Sequence, residues 1–114
     1  MLRLPRIKFL HIERLQPIES EVELDRVAFY KNHPEKYRDS LPEVWYLNDD
    51  YVLADGHHKI FAKHLNGSLI IPVIYHSPYN TSRNYEYLSK EILERVKEVR
   101  RKGIFRIKQL CLVN

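Results

Sequence analysis

The stretch YVLADGHHKIFAKHLNGSLIIPVIY, residues 51–75, reads as strand, turn, helix and strand in direct succession. Tyr51-Val52-Leu53-Ala54 is short and apolar, bounded by Asn48-Asp49-Asp50 before it and Asp55-Gly56 after it, as a largely buried strand is. Ile60, Phe61 and Leu65 then fall at helical spacing, and Asn66-Gly67 closes the helix. Leu69 to Tyr75 is apolar again and reads as the next strand. A glycine in the turn into a helix lets backbone approach a ligand, and the free N–H groups and positive end of the helix attract an anion. His57, His58 and Lys59 add donors and charge in that first turn. A phosphate-bearing ligand fits this arrangement, although the arrangement does not name a reaction.

Outward from this stretch the chain alternates strands and helices without a repeat or a linker. Ile7 to Ile12 is a first strand, ended by Gln16-Pro17. Ser20 and Glu23 have the spacing of a capping box, which predicts a helix through Val22, Val27 and Phe29 to about Lys31. His33-Pro34 breaks that helix, and a short helix or loop follows through Tyr37. Glu43–Leu47 and Tyr51–Ala54 form a hairpin around Asn48-Asp49-Asp50. Leu88, Ile92, Val96 and Val99 place an amphipathic helix over Ser82 to Arg101, closed by Gly103. Phe105 to Val113 alternates and predicts a last strand. The fold class expected is α+β, a small mixed sheet with helices packed on it, as a single domain over residues 1–114.

Composition bounds the rest. Hydrophobic residues make up 44% of the 114, with three glycines, which suits a chain that buries a core rather than a disordered tail. No apolar run approaches the ~20 residues that span a bilayer, and Met1-Leu2-Arg3-Leu4-Pro5 does not read as a signal peptide. One cysteine, Cys111, excludes an internal disulfide and a cysteine-based zinc cluster. A cytoplasmic location with no membrane partner is the expectation.

The net charge of +4 divides into +3 over residues 1–16, −6 over 17–56 and +7 over 57–114. Arg100, Arg101, Lys102 and Arg106 stand in the densest positive patch and are candidates for contact with a nucleic-acid backbone. Tyr75, Tyr79, Arg83, Tyr85 and Tyr87 are candidates for a surface on which bases stack. Both sets also have a plainer reading, as cations that complement a helix end and aromatics that pack loops.

The order Pro17-Ile18-Glu19, a helix, Leu41-Pro42-Glu43-Val44, Tyr51 to Lys59 and Ile71-Pro72-Val73 resembles the ParB N-terminal/sulfiredoxin-like superfamily. The resemblance covers residues 7–76, and Asp55-Gly56-His57-His58-Lys59 is its most specific element. Lys59 stands where the superfamily more often has Arg; Lys meets phosphate as a point charge without a bidentate fork. The resemblance implies a nucleoside di- or triphosphate ligand, with Gly56, His57, His58 and Lys59 at the phosphates. Sulfiredoxin chemistry is not expected, because His57 occupies the position of that enzyme's cysteine. A partition protein is not expected either, because the 38 residues after His76 are too few for its DNA reader. The superfamily's free-amino-acid kinases have a similar motif plus an N-terminal acid, and Glu19 is the best match to that acid, with Glu43 next.

The resulting hypothesis is Mg²⁺-dependent nucleotide hydrolysis or phosphoryl transfer, with Glu19, Asp55 and His57 as catalytic candidates and Asp55 as the candidate Mg²⁺ ligand. A DNA-binding or nuclease-like module and a regulatory domain that binds nucleotide without chemistry are the alternatives, and a homodimer is compatible with all three. Each residue also has a structural reading: the histidines as caps of backbone groups, Asp55 as an N-cap, and Glu19 as a solvated acid.

Overall fold

The hairpin is built as its turn chemistry demands. In the computed structural model, which describes residues 6–77 and 84–114, strand β4 (Glu43–Leu47) pairs antiparallel with strand β5 (Asp50–Asp55). Asn48 and Asp49 join them at φ +49° and +65°. Two successive left-handed residues match the right-handed twist of the strands, and Asn and Asp tolerate that region best after glycine.

Strand β6 (Ile70–His76) lies parallel to β4 on its other side, and strand β1 (Arg6–His11) pairs antiparallel with β6 at the sheet edge. Strand β2 (Leu15–Pro17) runs parallel to β5 and closes a mixed five-stranded sheet of order β1-β6-β4-β5-β2. A 3₁₀ turn at Ile12–Arg14 carries the chain from β1 to β2. The fold is therefore α+β, as expected.

Period-two alternation gives the sheet two apolar faces. Leu10, Leu15, Val44, Leu53, Ile71 and Val73 pack under helices α1 (Leu24–Asn32) and α2 (His57–Leu65). Trp45, Leu47 and Val52 face the other way and meet Ile92 and Val96 of helix α3 (Tyr85–Arg101). The positions Leu88, Ile92, Val96 and Val99 make the stripe that seats α3, and Gly103 ends it at φ +82°.

Two segments differ from the sequence reading. Ser20–Glu23 caps no helix. Glu21–Glu23 is a short strand, β3, parallel to β7 (Cys111–Val113), with Val22 fully buried between exposed Glu21 and Glu23. That exposed-buried-exposed pattern has the period of a strand, and α1 starts three residues later than the capping box would place it. Phe105–Val113 is not one strand either. Ile104, Ile107 and Leu110 are the buried positions, and a spacing of three suits the 3₁₀ turn at Ile107–Gln109. The Gln109 side chain accepts the N–H groups of Phe105 and Arg106, at 2.7 and 2.9 Å, and holds the chain in that turn.

Candidate functional site

Strand β5 ends at Asp55, and the chain enters α2 through Gly56 at φ +97°. A Cβ at Gly56 would lie 2.7 Å from the Cβ of Pro42. Glycine is thus required twice, for the left-handed backbone and for the closeness of the Ser40–Pro42 segment. That segment is itself fixed, since the Pro42 carbonyl accepts the Ile74 N–H at 2.8 Å. The N-cap Gly56 has no side chain to cap the start of α2, and the first turn of the helix borders a space walled by Ser40–Pro42. This space is a cavity of about 380 Å³, bordered by Glu19, Arg26, Tyr30, Asp55 and the first turn of α2.

His57 is buried, 3% exposed, and its Nε2 accepts the backbone N–H of Ile18 at 3.0 Å. An accepting Nε2 carries no proton, so the neutral ring holds its hydrogen on Nδ1, which faces Glu19 Oε2 at 3.8 Å. Burial pushes the His57 pKa down to about 3, helped by the positive potential of His58 and Arg95. The Glu19 carboxylate is partly in solvent and too distant to offset that burial. His58 Nε2 likewise accepts a backbone N–H, that of Glu23 at 3.1 Å. Its pKa is lowered by burial and then by Arg26, against the pull of Glu19 and Glu23. Both histidines thus tie the start of α2 to the Ile18–Glu23 segment as neutral acceptors. Lys59 Nζ donates to the Ser40 carbonyl and lies 5.5 Å from the centre of the Tyr30 ring.

The Asp55 carboxylate at the cavity rim makes no hydrogen bond or ion pair among the described residues, so a hard-oxygen ligand is available there. Among the described residues no group of three or more His, Cys, Asp or Glu side chains could hold a metal by itself. An Mg²⁺ at Asp55 would accordingly take its other ligands from phosphate and water, which is the ion's usual habit.

Glu19, Asp55, Gly56, His57, His58 and Lys59 all border one cavity. Glu43 instead holds His76 Nε2 at 2.8 Å beside the stacked Trp45 ring. Arg26 and Tyr30 are cavity residues that the sequence reading missed. They stand four apart on α1 and so share a helix face, which is the signal that could have found them.

The basic residues near the end of α3 are divided. Arg100 is committed inward: its Nε donates to Gln16 Oε1 at 2.9 Å and its Nη2 to Asp50 Oδ2 at 2.8 Å. Gln16, 2% exposed, also donates to the carbonyls of Pro17 and Ile104 at 2.8 and 3.0 Å. Arg106 donates to the Phe105 carbonyl, while Arg101 and Lys102 are exposed. The tyrosines are also scattered. Tyr85 stacks on Trp45 and donates to the Tyr46 carbonyl, Tyr87 is exposed, Tyr75 belongs to the sheet, and Tyr79 and Arg83 lie outside the described residues. Replacing Gln16 by Leu should cost about 2–4 kcal/mol, because two carbonyls and the Arg100 Nε–H are then left without their buried partner. Urea denaturation of Gln16→Leu checks this, and a loss below about 1 kcal/mol would show that the three groups find other partners.

No family model and no curated protein matches the chain. Solved structures do. Protein Atu1540 from Agrobacterium tumefaciens superposes with a TM-score of 0.58 over 81% of this chain and 49% of its own, at 18% identity. A free serine kinase solved in complex with AMP superposes with a TM-score of 0.51 over 61% of this chain and 30% of its own, at 14% identity. The fold is shared. This chain spans about half the length of the first structure and under a third of the second. No helix among the described residues is long and apolar enough to cross a membrane.

Proposed function

We propose that this chain is a nucleotide-binding member of the ParB N-terminal/sulfiredoxin-like superfamily, acting in the cytoplasm on a nucleoside di- or triphosphate. The observation that carries the reading is the left-handed Gly56, which opens the uncapped start of α2 onto a cavity that holds two cations, Arg26 and Lys59, and an acid, Glu19. The likeness of fold to a kinase that was solved with AMP supports the same reading. In it, phosphate oxygens accept the first N–H groups of α2, and Arg26 and Lys59 balance their charge. An Mg²⁺ at Asp55 would neutralise charge that develops on the phosphates.

Glu19 is the base in this proposal. Its carboxylate faces the Nδ1–H of a neutral, buried His57, so that ring positions the acid without competing for the proton. The acid takes the proton of an attacking water or hydroxyl group, which gives hydrolysis or transfer of a phosphoryl group. Glu19→Gln keeps shape and loses the base. Turnover should fall by about 100-fold or more while the nucleotide Kd changes by less than about threefold. Measured turnover and equilibrium binding on the same variant check this. Unchanged turnover would remove Glu19 from the chemistry, and tight binding by a wild-type protein without turnover would leave a regulatory binding domain.

A further inference from the structure

Strand β1 borders the sheet and, among the described residues, pairs only with β6. The direction of its backbone groups follows from a proline. Pro72 has no N–H, so the Phe9–Pro72 pair is of the antiparallel kind that exchanges no hydrogen bonds. The rest of β6 agrees. The Pro72 carbonyl accepts the Tyr37 hydroxyl at 2.7 Å, and the Ile74 N–H donates to the Pro42 carbonyl at 2.8 Å, both with residues that lead into β4 on the other side of β6. Such pairs alternate along a ladder, so Phe9 and Ile7, the partner of Ile74, turn their N–H and C=O groups outward from the sheet. Their side chains lie on the face opposite α1 and α2 and are 69% and 59% exposed, and Ile70 on the same face is 62% exposed. Arg6 and Lys8 alternate with them, and the strand carries no acid. Arg6 is exposed, and Lys8 Nζ uses one of its three donors on the Tyr51 hydroxyl at 3.3 Å.

We infer that this edge takes an extended segment of a partner protein, with apolar and acidic residues in alternation, as a sixth strand of the sheet. Main-chain bonds to Ile7 and Phe9 hold the segment, and its alternate side chains give specificity. Side chains on one face bury apolar surface against Ile7 and Phe9. Those on the other face meet Arg6 and Lys8, where opposite charges across strands are favourable. A second copy of this chain is a poorer occupant. Paired Ile7 to Phe9, it sets Lys8 against Lys8; paired Ile7 to Ile7, it sets Arg6 against Lys8. Cations on an edge strand keep identical edges apart in this way. Strands β6 and β4 separate this edge from β5, whose end opens onto the Gly56 cavity, so the inference stands apart from the proposed nucleotide site.

The test begins with a phage-displayed library of linear peptides about eight residues long, within the usual length of a strand, selected on the full chain. Enriched sequences should alternate apolar and acidic residues. A labelled peptide of that sequence, followed by fluorescence anisotropy, should bind Phe9→Glu and Arg6→Glu at least about tenfold more weakly than the wild type. Both positions are exposed, and an unchanged melting temperature verifies that the variants fold. Methylating the peptide nitrogens that face β1 should weaken binding about tenfold or more, while methylating the intervening ones should change it less than about threefold, because one set alone meets the Ile7 and Phe9 carbonyls. This comparison needs no variant protein. Several results would overturn the inference: no enrichment, enriched sequences that are basic or lack alternation, undiminished binding in Phe9→Glu, or equal effects of the two methylated sets. So would a dimer in sedimentation equilibrium that Phe9→Glu disperses, which would assign the edge to a second copy of the chain.

Discussion

Gly56→Ala should lower the melting temperature by roughly 6–24 °C and remove nucleotide binding with it. Two costs combine. A non-glycine residue at φ +97° is strained, worth about 1–2 kcal/mol, and a Cβ 2.7 Å from Pro42 adds a collision that needs a shift of the wall. Pro42 is a ring whose carbonyl is bonded to Ile74, so it has little freedom to move away. The sum is about 2–4 kcal/mol, and each kcal/mol is worth about 3–6 °C at this chain length. Gly67 and Gly103 have similar φ values, +83° and +82°, with nothing within 4 Å of a built Cβ. Gly67→Ala and Gly103→Ala therefore carry the strain alone. Calorimetry of the three variants separates strain from collision. A Gly56→Ala melt within about 2 °C of Gly103→Ala would show that Pro42 yields easily. Loss of binding in Gly56→Ala by itself therefore reports on the scaffold, and the charged residues of the cavity are the better probes of the ligand.

The second large effect is a pH dependence. His57 titrates near 6.5 when unfolded and near 3 when folded, because burial disfavours its charged form. Between those values the unfolded chain binds the additional proton, so stability increases with pH across the window. The contribution of the neutral ring is complete above about pH 6.5 and is lost as pH falls towards 3, amounting to roughly 5 kcal/mol in all. His58, whose pKa is lowered too, adds in the same direction. His57→Gln retains an acceptor for the Ile18 N–H but does not titrate. Its melting temperature should lie below that of the wild type at pH 7.5 and fall less steeply between pH 6.5 and 4. Parallel acid limbs for the two proteins would contradict the buried neutral ring.

Elements with local signals were legible in the sequence. The β4–β5 hairpin is marked by Asn48-Asp49, α2 by Gly56 and Asn66-Gly67, and α3 by a stripe from Leu88 to Val99. The less legible parts depend on partners distant in sequence. β2 is three residues long and exists because Leu15, Gln16 and Pro17 lie along β5; alone, Gln16-Pro17 reads as a strand end. Gln16 joins Ile104 and Arg100, 88 and 84 residues away, and no local pattern announces such a junction. Ser20 and Glu23 satisfy the spacing of a capping box, yet the ladder with Cys111–Val113 competes for the same backbone and takes it. In the candidate site, the Asp55–Lys59 run could be picked out because glycine and charge coincide at a helix start. Arg26 and Tyr30 reach the cavity only through the packing of α1 on α2, and the accepting role of each histidine only through Ile18 and Glu23.

Thermal unfolding with AMP, ADP, ATP, CTP and GTP, each with and without Mg²⁺, tests the proposed nucleotide site most directly. A nucleotide at 100 times its Kd adds about 2.7 kcal/mol to the folded state, a rise of roughly 8–16 °C in melting temperature. At least one nucleotide should give such a rise, and the rise should vanish in the Arg26→Ala, Lys59→Ala double variant. An unchanged melting temperature with all five, in Mg²⁺ and without it, would contradict a nucleotide site and leave the Gly56 turn as a feature of the scaffold alone.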